Sequence, residues 1–510
     1  MAALIWSPMI LFTWRCNSVH EPLNTARPVV VRSSAFVALG LTLCLSGCAV
    51  FRSYDKELNE TTNLAGAGKV DDAIKQLNKN NTGKDKDLLY YLELGMMERW
   101  IDRYPDSQKA WMSANDTVQM WEQTAKTDPS KLGSSVASYV INDKVRPYEG
   151  HDYEKVMLLT YIALNYLALG EYDNARVAIK QTHELEAVIA DVRSKELAKV
   201  QQQAQKQGAR TNFKELNGYP VQTIDNPEVN SLKNSYQSAL SHYLAGFVYE
   251  SLGEPSLAAP GYRLANELQP NQPLLEEALR GLDQRTGAPD DGMTDTLFVI
   301  GSGTAPALKS RQFPLPIPVN GTLILVPISF PVMVSTSTPY LPGQLRLGDG
   351  TSLPVAPITS IDLMARRALK DDMPGIMLRG AIRSATKAAT QYALQHQSQK
   401  QNNMALAIAA LAVTIGSVAT ESADERTWRT LPSEIGIARA RLTPGSHVIT
   451  LQTPGGVRTV DLKVSGRYAV VGLRMLRGQL FVQPPELTTG TAGSPQDGEG
   501  TAPAPSTGTK

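Results

Sequence analysis

Residues 241–270 read SHYLAGFVYESLGEPSLAAPGYRLANELQP, and the spacing of small and aromatic residues in this stretch decides the fold of the first half. Gly246, Tyr249, Gly253, Ala258, Tyr262, Ala265 and Pro270 fall at intervals that suit two packed helices. Gly246 and Ala258 leave room for the helices to approach, Gly253 ends the first, and Pro270 closes the unit. A second stretch, LLTYIALNYLALGEYDNARVAIKQ, repeats the pattern through Ala163, Tyr166, Gly170, Tyr172, Ala175 and Ile179. Two weaker copies lie upstream. NLAGAGKVDDAIKQLNK carries Gly68, Ala73 and Leu77, and DLLYYLELGMMERWIDRYPDSQKAWMSANDTVQMW has the same periodicity with a one-residue slip.

These intervals resemble those of the tetratricopeptide repeat, a helical hairpin that stacks into a solenoid with a concave inner face. By position in the best copy, Tyr243, Phe247 and Glu250 either line that groove and meet a partner or face the core; the pattern suits both. Val192 to Lys214 is rich in Gln, Lys and Arg with few apolar positions, so it reads as a solvated helix.

After Arg285 the pattern changes. DTLFVIG, GTLILVPISF and QLRLGDG read as strands between Gly and Pro turn residues. A helical interlude starts near Ile361. Four further strands follow, at Ile435–Leu442, His447–Leu451, Thr459–Val464 and Tyr468–Met475. In TVDLKV, alternation places Val460, Leu462 and Val464 on one face. The run LTPGSHVITLQTPGG also resembles the PEGA-type β modules of envelope proteins, over some fifteen residues. The expected fold is multidomain α + β: an all-α repeat solenoid over 48–285, then a β-sandwich. Segments 286–360 and 426–485 would build the sandwich around a helical insertion at 361–425. Beyond Pro484 the tail, 486–510, lacks large apolar residues and is expected to be disordered.

The N-terminal region carries an address. Ala35 to Leu45 is an uncharged apolar run, too short to span a membrane as a helix, with Arg27 and Arg32 before it. It ends in Leu45-Ser46-Gly47-Cys48, which resembles the lipobox of bacterial lipoproteins. That resemblance implies removal of 1–47 as a signal peptide and a lipid on the Cys48 sulfur. Cys44 has no small residue before it and fits less well. The residues ahead of the positive flank suggest that translation starts downstream, among Val29 to Val31. Ala49 stands where inner-membrane retention expects Asp, which favours the outer membrane.

Two features of the insertion bear on binding. Arg379, Arg383 and Lys387 follow one another at four-residue spacing and line one helix face; a solvated face is the simpler account, and contact with anionic head groups is the alternative. Met404 to Thr420, MALAIAALAVTIGSVAT, carries no charge and reads as a buried or membrane-contacting helix.

Catalytic chemistry is not visible. The six histidines are scattered, with no HExxH; there is no phosphate-binding glycine loop and no nucleophile elbow. Gly301-Ser302-Gly303 reads as a turn, and Asp71-Asp72 and Asp371-Asp372 as helix ends. The only cysteines are Cys16, Cys44 and Cys48, so the rest of the chain can hold neither a disulfide nor a cysteine metal site. No cofactor or metal is expected. With 50 basic against 49 acidic residues, the chain lacks the cationic excess of a nucleic-acid binder.

The lipobox, ALNYLALGEYDNARV, DDMPGIMLRGAIRSATKAATQYA and ADERTWRTLPSEIGIARARL together resemble a family of tetratricopeptide-repeat lipoproteins of Gram-negative bacteria, from about Cys48 to Met475. The resemblance implies location and architecture, a lipid-anchored repeat protein of the envelope, and hardly bears on activity; the expected role is a non-enzymatic scaffold on the periplasmic side of the outer membrane, docking a protein or peptide in its groove. Two alternatives stay open. One is a membrane-engaging secretion or assembly component using 404–420, and the other is a peptidoglycan-modifying enzyme.

Overall fold

The computed structural model describes residues 52–128, 143–319, 322–336, 338, 340–401 and 422–483. Side chains are described for all of these except 145, 315–326 and 387–401. The chain is of mixed α and β class, helices first. They are α1 (Tyr54–Gly66), α2 (Val70–Asn80), α3 (Leu88–Trp100), α4 (Tyr104–Thr127), α5 (Asp152–Ala168), α6 (Tyr172–Gln207), α7 (Pro227–Ser231), α8 (Ala239–Ser251), α9 (Pro255–Leu268), α10 (Pro273–Arg280) and α11 (Leu282–Gly287).

The pairs α1–α2, α3–α4, α5–α6 and α8–α9 fold back on one another through turns with a common backbone. Two residues past the first helix of each pair, the chain is left-handed: Gly68 (φ 79°), Asp102 (59°), Gly170 (74°) and Gly253 (75°). The next N–H then reaches back to the helix: Lys69 to the Leu64 carbonyl (3.0 Å), Arg103 to Glu98 (3.0 Å), Glu171 to Tyr166 (2.7 Å) and Glu254 to Tyr249 (2.8 Å). This Schellman arrangement satisfies carbonyls that a helix end would otherwise leave bare. Glycine takes the left-handed angle without a Cβ clash; Asp is among the few other residues that visit it. Gly68 and Asp102 stand 34 positions apart, and Asp102 and Gly170 stand 68 apart.

Close helix approach depends on a glycine pair that sequence reasoning only half identified. A Cβ on Gly261 would sit 2.6 Å from the Gly246 backbone nitrogen, and one on Gly246 would sit 2.5 Å from the Tyr262 ring. Ala258 is buried in the same seam. The exposed stretch after Val192 continues α6 to Gln207, where Gly208 closes it in the left-handed region.

The β part opens with β1 (Thr294–Ser302), β2 (Ala307–Val319), β3 (Thr322–Val334), β4 (Gln344–Leu347), β5 (Ser352–Pro354) and β6 (Ala356–Ser360). After α12 (Ile361–Gln401) come β7 (Glu434–Leu442), β8 (Gly445–Thr453), β9 (Gly456–Val464), β10 (Tyr468–Leu476) and β11 (Gln479–Gln483). One sheet has the order β11-β10-β1-β7-β6, with β1 parallel to β10; a second has the order β5-β4-β8-β9. Phe298, Ile300, Val471 and Leu473 of the first sheet share an apolar cluster with Ile449, Leu451, Leu462 and Val464 of the second. On its other face, Leu297, Val299, Ile435, Ile437 and Val470 join the core built by the helices. The first sheet is therefore covered twice, and β1 is buried along its whole length. β9 has one wet face, so Val460, Leu462 and Val464 alternate with exposed residues as TVDLKV predicts.

β2 and β3 form a two-stranded ribbon of their own. Sequence reasoning missed β2 because of Pro314, Pro316 and Pro318. Pro314 pairs with Pro327, and Pro331 pairs with Ser310, so all five prolines fall on one alternating set of positions. A proline survives in a ladder only where its nitrogen points away from the partner strand. Each outer edge of the ribbon thereby loses donors at its prolines, three on β2 and two on β3.

Candidate functional site

The three residues expected in the groove do not face open space. Tyr243 and Phe247 are fully buried and Glu250 nearly so, because Tyr262 of α9, Arg439 of β7 and Tyr468 of β10 pack over this face of α8. Glu250 accepts hydrogen bonds from Arg285 Nε (2.7 Å), Arg439 Nη2 (2.6 Å) and the Tyr262 hydroxyl (2.6 Å). Arg439 also pairs with Asp295 at 2.7 Å and lies 5.2 Å over the Phe247 ring. Burial alone would raise the Glu250 carboxyl, but the Arg285 and Arg439 hydrogen bonds outweigh it and hold the group below its ordinary value. The sequence placed these side chains on the right helix, yet what they meet comes from strands some 45 to 220 positions further on.

Beside this network, a cavity of about 410 Å³ opens between α10–α11 and the strands. Arg285, Asp291, Asp295, Arg441, Arg467 and Tyr468 help to line it, with Tyr243 behind. Arg441 pairs with Asp291 at the rim (2.5 Å), whereas Arg467 lies over the Tyr468 ring at 5.8 Å.

The basic stripe of α12 is likewise turned inward. Arg379 Nε donates to Asp143 at 3.2 Å, and the Arg383 guanidinium, 1% exposed, lies 3.7 Å from the same carboxylate. Neither is free for a lipid head group, since the buried Asp143 needs both cations for compensation. The Lys387 side chain lies outside the described residues, as do Cys48, the Met404–Thr420 segment and the tail. Asp71 and Asp72 occupy the first turn of α2, as expected. Asp371 and Asp372 are not at a helix end: they sit inside α12 and pair with Arg367 and Arg193.

The helical pairs also hold a stretch of the chain itself. Residues 422–433, between α12 and β7, are neither helix nor strand, and 426–433 are all buried. Such a segment has no ladder to receive its N–H groups. Two carboxylates on helices receive them instead. Glu154 in the first turn of α5 accepts from Trp428 N (2.7 Å), and Glu93 on α3 accepts from Arg429 N (2.6 Å) and Thr430 N (3.2 Å). Trp428 packs edge-on against Trp111 and Tyr161, with ring centres 6.1 and 6.2 Å away. Arg429 reaches Asp55 on α1 at 2.8 Å, and Lys144 pairs with Glu425 at 2.9 Å. Burial pushes the Glu93 carboxyl up to about 7, against the pull of its two N–H donors and Arg429. The helices thus grip an irregular, turn-containing segment of the chain by its backbone and by one indole. Nothing in the sequence marked Glu93 or Glu154, which read as ordinary helix residues.

The fold also brings together two histidines that are far apart in the chain. His183 on α6 stacks on His242 of α8 with ring centres 5.2 Å apart, and His242 Nε2 lies 3.2 Å from Glu186. Burial, then the neighbouring His242, lowers the His183 value. Among the described residues, no group of three or more His, Cys, Asp or Glu is placed to hold a metal ion. Among them too, no helix is long and apolar enough to cross a membrane. No family model, curated protein or solved structure matches the chain.

Proposed function

We propose that the chain is a lipoprotein, anchored through Cys48 to the periplasmic face of the outer membrane, where it acts as a scaffold or adaptor for a protein or peptide partner in envelope assembly or maintenance. Its architecture would be a tetratricopeptide-type solenoid followed by a β-sandwich made of the two sheets that share an apolar core. Four helical pairs with one turn geometry, the first three at multiples of 34 residues, support the repeat assignment.

The observation that carries the scaffold role is the grip on residues 426–430. Repeat arrays bind partners along their concave faces, and here carboxylates and aromatic rings on the helices hold a segment of the chain itself. With that face occupied in cis, the cavity bordered by Asp291, Arg441, Arg467 and Tyr468 offers a surface, among the described residues, for an outside partner. A photo-reactive residue at Arg467 in intact cells should give a discrete protein adduct, lost when Cys48→Ser releases the chain from the membrane fraction. Labelling of lipid alone from Arg467, or unchanged fractionation of Cys48→Ser, would reverse the assignment.

A further inference from the structure

The helical part carries one ionisable cluster that neither the grip on residues 426–430 nor the cavity uses. His183 of α6 and His242 of α8 stack across the seam between the two helices, with ring centres 5.2 Å apart and planes 15° from parallel. His242 is 1% exposed, whereas His183 is only half-buried, which gives protons a way in from the α6 side. Glu186, one turn after His183 and itself buried, lies 3.2 Å from His242 Nε2 and accepts from Gln237 Nε2 at 3.3 Å. Four atoms of the cluster, His183 Nε2, both His242 ring nitrogens and Glu186 Oε1, are buried without a hydrogen bond.

The surroundings add little charge. On α6, Arg176 stands two turns before His183 and is held by Glu254, at the start of α9, at 3.1 Å. The loop ahead of α8 contributes Gln237 and the Tyr236 phenol. Asp152 of α5, Arg193 of α6 and Asp371 of α12 act on that phenol, and each has its own ion partner. Where α5 and α9 pack on α8 they bring a hydroxyl and bare backbone: Thr160 Oγ1 lies 2.7 Å from Ser241 Oγ, and Gly261 abuts the His242 carbonyl. Only His242 and Glu186 act on the His183 ring as charges. Two rings that can each take a proton therefore share a single carboxylate.

One proton on the pair is compensated by Glu186. A second sets two imidazolium rings face to face, with one positive charge left over where water is scarce. Burial, then the neighbouring ring, lowers the His183 value, so the closed seam holds that proton less well than a separated one. Stability from the closed seam is present above the ordinary histidine value of 6.5 and is lost as pH falls below it.

We propose that the His183–His242 stack beside Glu186 is an acid-operated latch between α6 and α8, closed while at most one ring is charged and released when both are. The strand side of α8 stays in place, because Glu250 and Arg439 hold it without a histidine.

Hydrogen exchange of the full chain at pH 7.5 and pH 5, followed by mass spectrometry and corrected for intrinsic rates, tests the latch. Protection over 178–190 and 239–246 should fall about tenfold or more at the lower pH, while β1 and β10 keep theirs. Glu93 answers acid in the opposite sense and at residues 429–430, so the two effects are read on different peptides. His183→Phe keeps a ring in the stack but takes no proton, so its seam should stay closed at pH 5. Should that variant fail to fold, Glu186→Gln removes the shared counter-charge and should open the seam at a higher pH than the parent chain. Equal protection of the seam at both pH values would overturn the proposal. So would a His183→Phe seam that opens like the parent's, a Glu186→Gln seam with an unmoved pH midpoint, or a loss spread evenly over the chain.

Discussion

Glu154 is the most consequential single side chain in the helical part. Its carboxylate accepts from the backbone N–H of Trp428 (2.7 Å), the backbone N–H of His151 (3.0 Å) and the hydroxyls of Tyr153 (3.2 Å) and Tyr148. Replacing it by alanine removes one group and strands three buried donors and one partly buried donor, the His151 N–H. Each orphaned donor costs about 1–3 kcal/mol, and partial relaxation brings the sum to about 3–6 kcal/mol. That is a large part of the stability of a whole domain, about 5–15 kcal/mol. The loss should fall first on residues 422–433, whose backbone has no ladder to fall back on. Hydrogen exchange followed by mass spectrometry should show protection at Trp428 to Thr430 reduced by a factor of about 100 or more, at 1.4 kcal/mol per tenfold. Helices α8 and α9 should keep their protection. Glu154→Gln keeps one acceptor but points an NH₂ at donors, so it should fall between. If Glu154→Ala exchanges like the parent chain over 422–433, the carboxylate does not hold that segment and the account of the inner face is wrong.

Glu93 gives a pH dependence with a definite sign. Its carboxyl is raised from 4.5 to about 7 in the folded chain, so the folded state binds the extra proton; stability is fully present below 4.5 and is lost as pH rises through about 7. The change is of the order of 3 kcal/mol, and urea midpoints at pH 5 and pH 8 should differ for the parent chain and draw together for Glu93→Gln. Gly246→Ala should cost about 1–3 kcal/mol, since its Cβ would lie 2.5 Å from the Tyr262 ring; an unchanged thermal midpoint would contradict the close packing of α8 on α9. Asp143→Asn should destabilise by about 3 kcal/mol, because it removes the carboxylate charge that Arg379 and Arg383 share. Arg379→Gln, by contrast, should leave co-flotation with anionic vesicles untouched, and a loss of flotation would restore the head-group role.

How far the fold was legible follows from the range of the interactions. The helical pairs could be read because their determinants are local: a glycine two residues past a helix, a tyrosine and an alanine at fixed offsets. Asp102 does the work of a glycine in the third-quality copy, which is why DLLYYLELGMMERW was harder to align. β9 was legible because one of its faces is wet, and alternation survives only in such strands. β2 was lost to its prolines, which argue against a strand unless both edges of the ribbon are known to be outer ones. The direction of Arg379 depended on Asp143, 236 positions earlier, and that of Glu250 on Arg439, 189 positions later. Side chains on a helix can be assigned to a face by counting; the neighbour that waits there cannot.

The seat of β1 sets a timetable for the molecule. Its two hydrogen-bonded neighbours are β7 and β10, with Leu297 registered against Arg439 on one side and Val470 on the other. The strand emerges from the ribosome long before either of them, and the helices that cover its far side emerge earlier still. Until the last strands arrive, the apolar flank of those helices has nothing to lie against. A chain truncated before Tyr468 would therefore not be a shorter version of the protein but an unfinished one, exposed to proteolysis. Whatever escorts the polypeptide during synthesis has to keep hold of it almost to the end.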